Sequence, residues 1–208
     1  MNSFRLSGIA ISTGGVSLIV INAVFTPMLA TDVPFHEMMA SNTYLWRLSL
    51  ASLTAFLLMI GSPDLHAYQS SRSGLFGKIA FSLTFLGCAF LFAHEWAQVF
   101  FVHSIAVAAP GALQAMEDAE GMNAFDIEAL IVITIFTLGW ISFAASMLVA
   151  RVFRRLGPAL IVTGFFAIPL LSAATSPIWG GALGNAVLGS GFILLGSELF
   201  KISAAAES

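Results

Sequence analysis

The chain has 208 residues, of which 58% are hydrophobic and only 9% charged, and its mean hydropathy is +0.93. Soluble domains carry closer to a quarter charged residues, so most of this chain cannot face water, and an all-α integral membrane protein is expected. The formal net charge of −3 leaves no basic face to meet phosphates and excludes nucleic acid as a partner.

A helix needs about 20 apolar residues to cross the hydrocarbon core. Six segments meet that length: 9–30, 44–61, 78–103, 127–150, 158–175 and 178–200. The first has too long an apolar run for a cleaved signal peptide, and its possible cleavage site, Met28-Leu29-Ala30, has a large residue where a small one is preferred, so it reads as a retained helix. No linker or change of composition divides the segments, and a single six-helix transmembrane domain over 1–208 is expected.

The loops carry a strong charge asymmetry. Arg5, Arg72, Lys78, Arg151, Arg154, Arg155 and Lys201 fall on one side, seven of the eight Lys and Arg residues, with Arg47 the exception. Asp32, Glu37, Glu117, Asp118, Glu120, Asp126 and Glu128 fall on the other. Basic loops stay in the cytoplasm. Both termini are therefore expected inside, in a multi-pass protein of the cell (cytoplasmic) membrane whose first partner is the lipid bilayer.

The inner loop after the second segment, SPDLHAYQSSRSG, reads as polar and solvated, with His66 and Tyr68 in it. The stretch 110–120 of the second outer loop reads as a short helix, with Pro110 in its first turn and Gly121 at its end. It is placed either flat over the outer mouth of the bundle or in solvent. Pro169 falls mid-span in the fifth segment and predicts a kink. In the sixth, Gly180, Gly184 and Gly191 share a stripe, with Gly181, Gly189 and Gly196 nearby. Such small residues let helices approach closely, either inside the bundle or as a homo- or hetero-oligomer face. Asn185 is expected to bond a neighbouring helix. Trp46 and Trp179 lie near outer helix ends, as an aromatic belt requires. The lone Cys88 reads as a packing residue. No repeat links the first three segments to the last three.

The runs GSPDLHAYQSSRSGLFGKIAFSLTFLG, HEWAQVF, AAPGALQAME and ARVFRRLGPALIVTG resemble small bacterial multipass membrane proteins of unknown function. The resemblance covers roughly 45–200, rests on composition and spacing, and implies a six-helix cell-membrane protein. It implies no activity and no catalytic residues.

The chemistry concentrates in the third segment, which carries His94, Glu95, Gln98 and His103. Ionisable groups within a membrane helix are costly and face protein, water or a partner. At about 100° per residue, His94 and Gln98 share a face, Glu95 lies to one side and His103 points opposite His94. Glu95 sits about 12 Å below the outer end, within reach of Arg47, which starts about 5 Å below the same surface. An Arg47–Glu95 pair is expected, against the alternative that Arg47 snorkels to headgroups. With His36 and Glu37 of the first outer loop, these residues are expected to form a polar, outward-facing pocket between helices. It would bind a small ligand or ion, for sensing or transport. The alternative is an accessory or scaffold subunit of a membrane complex without a site of its own. An enzyme is disfavoured: no nucleophile with an adjacent base, no metal motif and no cofactor fingerprint occurs.

Overall fold

The computed structural model describes residues 3–118 and 121–206. Among them are eight α-helices: α1 (Ser3–Val20), α2 (Phe35–Ala40), α3 (Asn42–Ala97), α4 (His103–Ala108), α5 (Pro110–Glu117), α6 (Ala124–Ala150), α7 (Leu156–Ala174) and α8 (Pro177–Ala206), with no strand. Five continuous stretches are long and apolar enough to cross a membrane: Ser3–Met28, Asn42–Ala108, Ala124–Ala150, Leu156–Ala174 and Pro177–Ala204. The second and third expected segments, 44–61 and 78–103, fall together in one of these.

Helix α3 has 56 residues and would extend about 84 Å if straight. It reverses at Gly74, whose φ of 57° and ψ of −147° lie in a region open essentially only to glycine. The reversal is read from the pairs it brings together. His66 stacks on Phe81 with ring centroids 4.5 Å apart, and Phe56 lies 5.6 Å from Phe92. Each pair is nearly equidistant in sequence from Gly74, so the arms 42–73 and 75–97 run antiparallel. The solvated inner loop expected around His66 is thereby corrected. The segment is helical to within a residue or two of Gly74. His66 packs on Phe81, and Tyr68 lies between Phe4 and Phe153 at 6.4 and 5.2 Å.

The helices close into a ring. α1 packs on the first arm of α3, where Gly61 meets Ile11 and Gly14 meets Leu58. The second arm packs on α6 through Gly87 against Phe136 and Gly139 against Thr84. Phe136 then meets Phe165 of α7. α8 lies between α7 and α1: Gly184 abuts the backbone of Ile168, and Gly189 abuts the carbonyl of Gly15. The sixth-segment glycines are thus largely taken up within the chain, and only Gly181 has nothing within 4 Å of the space a Cβ would fill. Asn185 also departs from expectation, donating to Gly181 O of its own helix at 2.9 Å. α7 continues through Pro169 to Ala174.

Trp140, fully buried, centres the core. Its ring meets Phe192 edge-on at 4.6 Å, and its Nε1–H points at Cys88 Sγ, 3.3 Å away. Trp46, Trp96 and Trp179 instead face outward.

The two ends of the ring differ in charge. The Gly74 end collects Arg5, whose guanidinium lies 5.2 Å from the Phe200 ring centre, and Arg154, whose backbone N–H donates to Glu198 at 3.0 Å. At the other end, α2 and α5 lie over the bundle. Leu113 of α5 is buried in a cluster with Met39, Tyr44, Leu48 and Ala106. The expected short helix over the mouth is therefore present as Pro110–Glu117, and the last part of the expected range, Glu120 included, lies outside the described residues.

Candidate functional site

The polar residues of α3 sit at the α2/α5 end, where three helical segments converge. α6 begins there with a reciprocal cap: Asn123 Oδ1 accepts from the Asp126 N–H at 3.0 Å, and Asp126 accepts from the Asn123 N–H at 3.1 Å. The cap fixes the first turns of α6 and sets Glu128 against α3. His94 Nδ1 and Glu128 Oε2 are 2.5 Å apart. His94 Nε2 faces Gln98 Nε2 at 2.7 Å, and Gln98 Oε1 accepts from the Tyr44 hydroxyl at 3.4 Å. A continuous chain of side chains thus runs Glu128–His94–Gln98–Tyr44, from a half-exposed carboxylate to a buried phenol.

The chain has a defined proton logic. The Gln98 amide nitrogen is a donor only, so His94 Nε2 accepts and Nδ1 carries the proton given to Glu128. A second proton on His94 would require the Gln98 amide to turn its oxygen to the ring. Its nitrogen would then face Tyr44, whose hydroxyl would have to accept rather than donate. The protonation of an outer imidazole is therefore linked to the orientation of a hydroxyl buried between the arms of α3.

Arg47 and Glu95 lie beside this chain but do not form the expected ion pair. Arg47 Nε donates to Thr26 Oγ1 at 3.2 Å, and its guanidinium sits 5.7 Å from the Tyr44 ring centre. Glu95 Oε2 is buried with no hydrogen-bond partner. His103 Nδ1 is 2.7 Å from Met39 O, which fastens α2 to the start of α4. His36 lies 3.7 Å from Glu117 Oε2, and Glu117 Oε1 accepts the Phe35 N–H at 3.1 Å, which fastens α2 to α5. Glu37 is exposed in the first turn of α2. Of the seven expected residues, His94 and Gln98 are thus bonded to each other, with Arg47 and Glu95 alongside. His36, Glu37 and His103 belong to the covering helices.

Two π-helical turns border the cluster, Ile21–Phe25 before Thr26 and Gln98–Val102 after His94. Each has one N–H bonded five residues back, Thr26 to Ile21 O and His103 to Gln98 O. A turn of this kind takes up extra residues and rotates everything beyond it. A uniform 100° step therefore does not carry from His94 to His103, which lie on either side of the second turn.

Tyr44, Glu128, Thr26 and Glu117 were not singled out from the sequence as site residues. Glu128 carried the one usable signal, an acid on the first turns of an apolar helix at the same depth as His94. Among the described residues no three His, Cys, Asp or Glu side chains converge as metal ligands would. No protein family, curated protein or solved structure matches the chain, so the roles of these residues rest on their geometry.

Proposed function

We propose that this is a six-span membrane protein with both termini in the cytoplasm that binds a small ligand or ion from outside. The cluster around His94, Glu95, Gln98, Tyr44 and Arg47 is the site. The topology is supported by the antiparallel arms of α3, which turn one long apolar stretch into two crossings. It is also supported by the seven Lys and Arg residues that the loop count assigns to the Gly74 side. Impermeant maleimide applied to intact cells tests it. Asp118→Cys should label from outside, and Ser70→Cys only after permeabilisation, with the buried Cys88 silent. The reverse pattern overturns the topology.

One observation carries the binding reading: Glu95 Oε2 is buried within a membrane-length helix without a hydrogen-bond partner, beside an Arg47 whose Nε is bonded to Thr26. A buried polar atom without a partner costs about 1–3 kcal/mol, and more when charged. A bound cation, proton or hydrogen-bond donor would remove that cost. The same carboxylate next to a chain that can reorient around His94 gives binding a route to the rest of the protein.

Native mass spectrometry in mild detergent provides the test. Wild type is expected to retain a small molecule or ion that Glu95→Gln and His94→Ala lose, with the Glu95→Gln protein at least as stable thermally. Identical adducts and identical stability in all three proteins would sink the binding reading.

A further inference from the structure

A second feature of the outer end adjoins that cluster through Phe125, whose ring lies 5.5 Å from that of His94, and does not depend on the cluster's role. Beneath α5 is a cavity of about 420 Å³. Its walls are apolar, chiefly Phe35 of α2, Leu113 and Met116 of α5 and Phe125 of α6. Glu117 and Asp126 stand on its rim. The volume falls in the range of about 300–1,000 Å³ typical of small-molecule sites. We propose that this cavity binds an amphiphilic amine: a cationic head between Glu117 and Asp126, and an aryl or alkyl tail against Phe35 and Phe125.

Charge selects the head. Neither Lys nor Arg lines the cavity, and Arg47, the one such residue that the loop count leaves at this end, bonds Thr26. Both rim carboxylates have structural duties that leave acceptor capacity. Glu117 takes the Phe35 N–H on Oε1 and faces His36 with Oε2, while Asp126 takes the Asn123 N–H on Oδ2. A carboxylate has about four lone-pair positions, so an ammonium group can be added without breaking these contacts. An anionic head would meet two carboxylates with no Lys or Arg among the described lining residues to answer it.

Shape and place select the tail. The Phe35 and Phe125 rings are 6.3 Å apart and tilted by 54°, faces suited to an aryl group or to an ammonium lying against a ring. Met116 and Ile105 of its wall are exposed apolar side chains. They put its mouth at the level where amphiphiles collect, with charged heads toward water. Leu113, which α5 contributes to the wall, is buried in the same cluster as Tyr44, so that part of the cavity is held by fixed packing.

The test uses the full chain in phosphatidylcholine nanodiscs, with protein-free discs as the blank, and three probes of equal length: 4-phenylbutylamine, 4-phenylbutanol and 4-phenylbutyrate. Equilibrium dialysis should show one saturable amine site per chain, about tenfold tighter than the alcohol, a difference of about 1.4 kcal/mol, with no saturable site for the acid. Glu117→Gln combined with Asp126→Asn should bring amine and alcohol within about twofold of each other. Met116→Trp, at a partly exposed wall position that tolerates bulk, should abolish binding of both. Glu95→Gln should leave amine binding unchanged. The proposal is overturned if the acid binds as well as the amine, or if Met116→Trp binds like wild type. It is also overturned if Glu95→Gln loses the amine while Met116→Trp keeps it, an outcome that places the amine at the polar cluster and supports the reading given above.

Discussion

The contact between α7 and α8 and the contacts made by α3 and α6 differ in whether side-chain hydrogen bonds cross them. In α7 and α8, Thr175, Asn185, Ser190 and Ser197 all donate to carbonyls of their own helix. Glycines bring the backbones together, and contact is made by dispersion. In α3 and α6, side chains bond across helices: Tyr44 to Gln98, His94 to Glu128, Gln69 to Ser146 and Trp140 to Cys88. A helix that satisfies its own polar groups needs only shape from its neighbour, so the α7–α8 pair behaves as scaffold. A helix that depends on a neighbour for hydrogen bonds is sensitive to that neighbour's position and protonation, and the candidate site is at the contacts of α3 and α6.

The sharpest way to break this contrast is a bulky residue in the scaffold. A Cβ at Gly184 would lie 2.7 Å from the backbone of Ile168. Gly184→Leu should therefore cost about 3 kcal/mol or more, seen as loss of folded protein or a large drop in thermal midpoint in detergent. Gly181→Leu on the same helix meets open space and should stay within about 0.5 kcal/mol of wild type. Equal effects at the two positions would mean that α8 is not held by close approach to α7. The smallest expected effect is at the contact of α3 with α6. The Gln69 Nε2 to Ser146 Oγ bond, 3.0 Å and fully buried, should show a coupling of about 0.6 kcal/mol in a Gln69→Leu/Ser146→Ala cycle. A coupling of several kcal/mol would make the cross-helix bonds principal supports of the fold rather than a means of alignment.

The sequence showed much of this scaffold. Apolar length located the long helices, but it read the one continuous stretch Asn42–Ala108 as two segments. Helical spacing placed His94 and Gln98 on one face, and they do bond. Other features were not readable. The reversal at Gly74 takes one residue with positive φ, and Ser, Arg and Gly around it read equally well as a solvated loop. The π-helical turn at Gln98–Val102 has no side-chain signature, and a constant angular step does not carry through it. Arg47 and Glu95 were matched by depth alone, whereas the fold gives Arg47 to Thr26 on another helix. Partners distant in sequence, such as Glu128 for His94, depend on how helices are rotated in the ring, which periodicity does not fix.

The reversal at Gly74 has a further consequence. The arms of α3 pair residues by their distance from that glycine, and Gln98 lies 24 positions beyond it, about 36 Å along the helix. Inserting one residue just after the bend would turn the whole returning arm by about 100° and advance it about 1.5 Å, swinging Gln98 and His94 away from Tyr44 and Glu128. The alignment of the His94 cluster is therefore set from the opposite end of the bundle, by a single backbone conformation that few other residues could adopt.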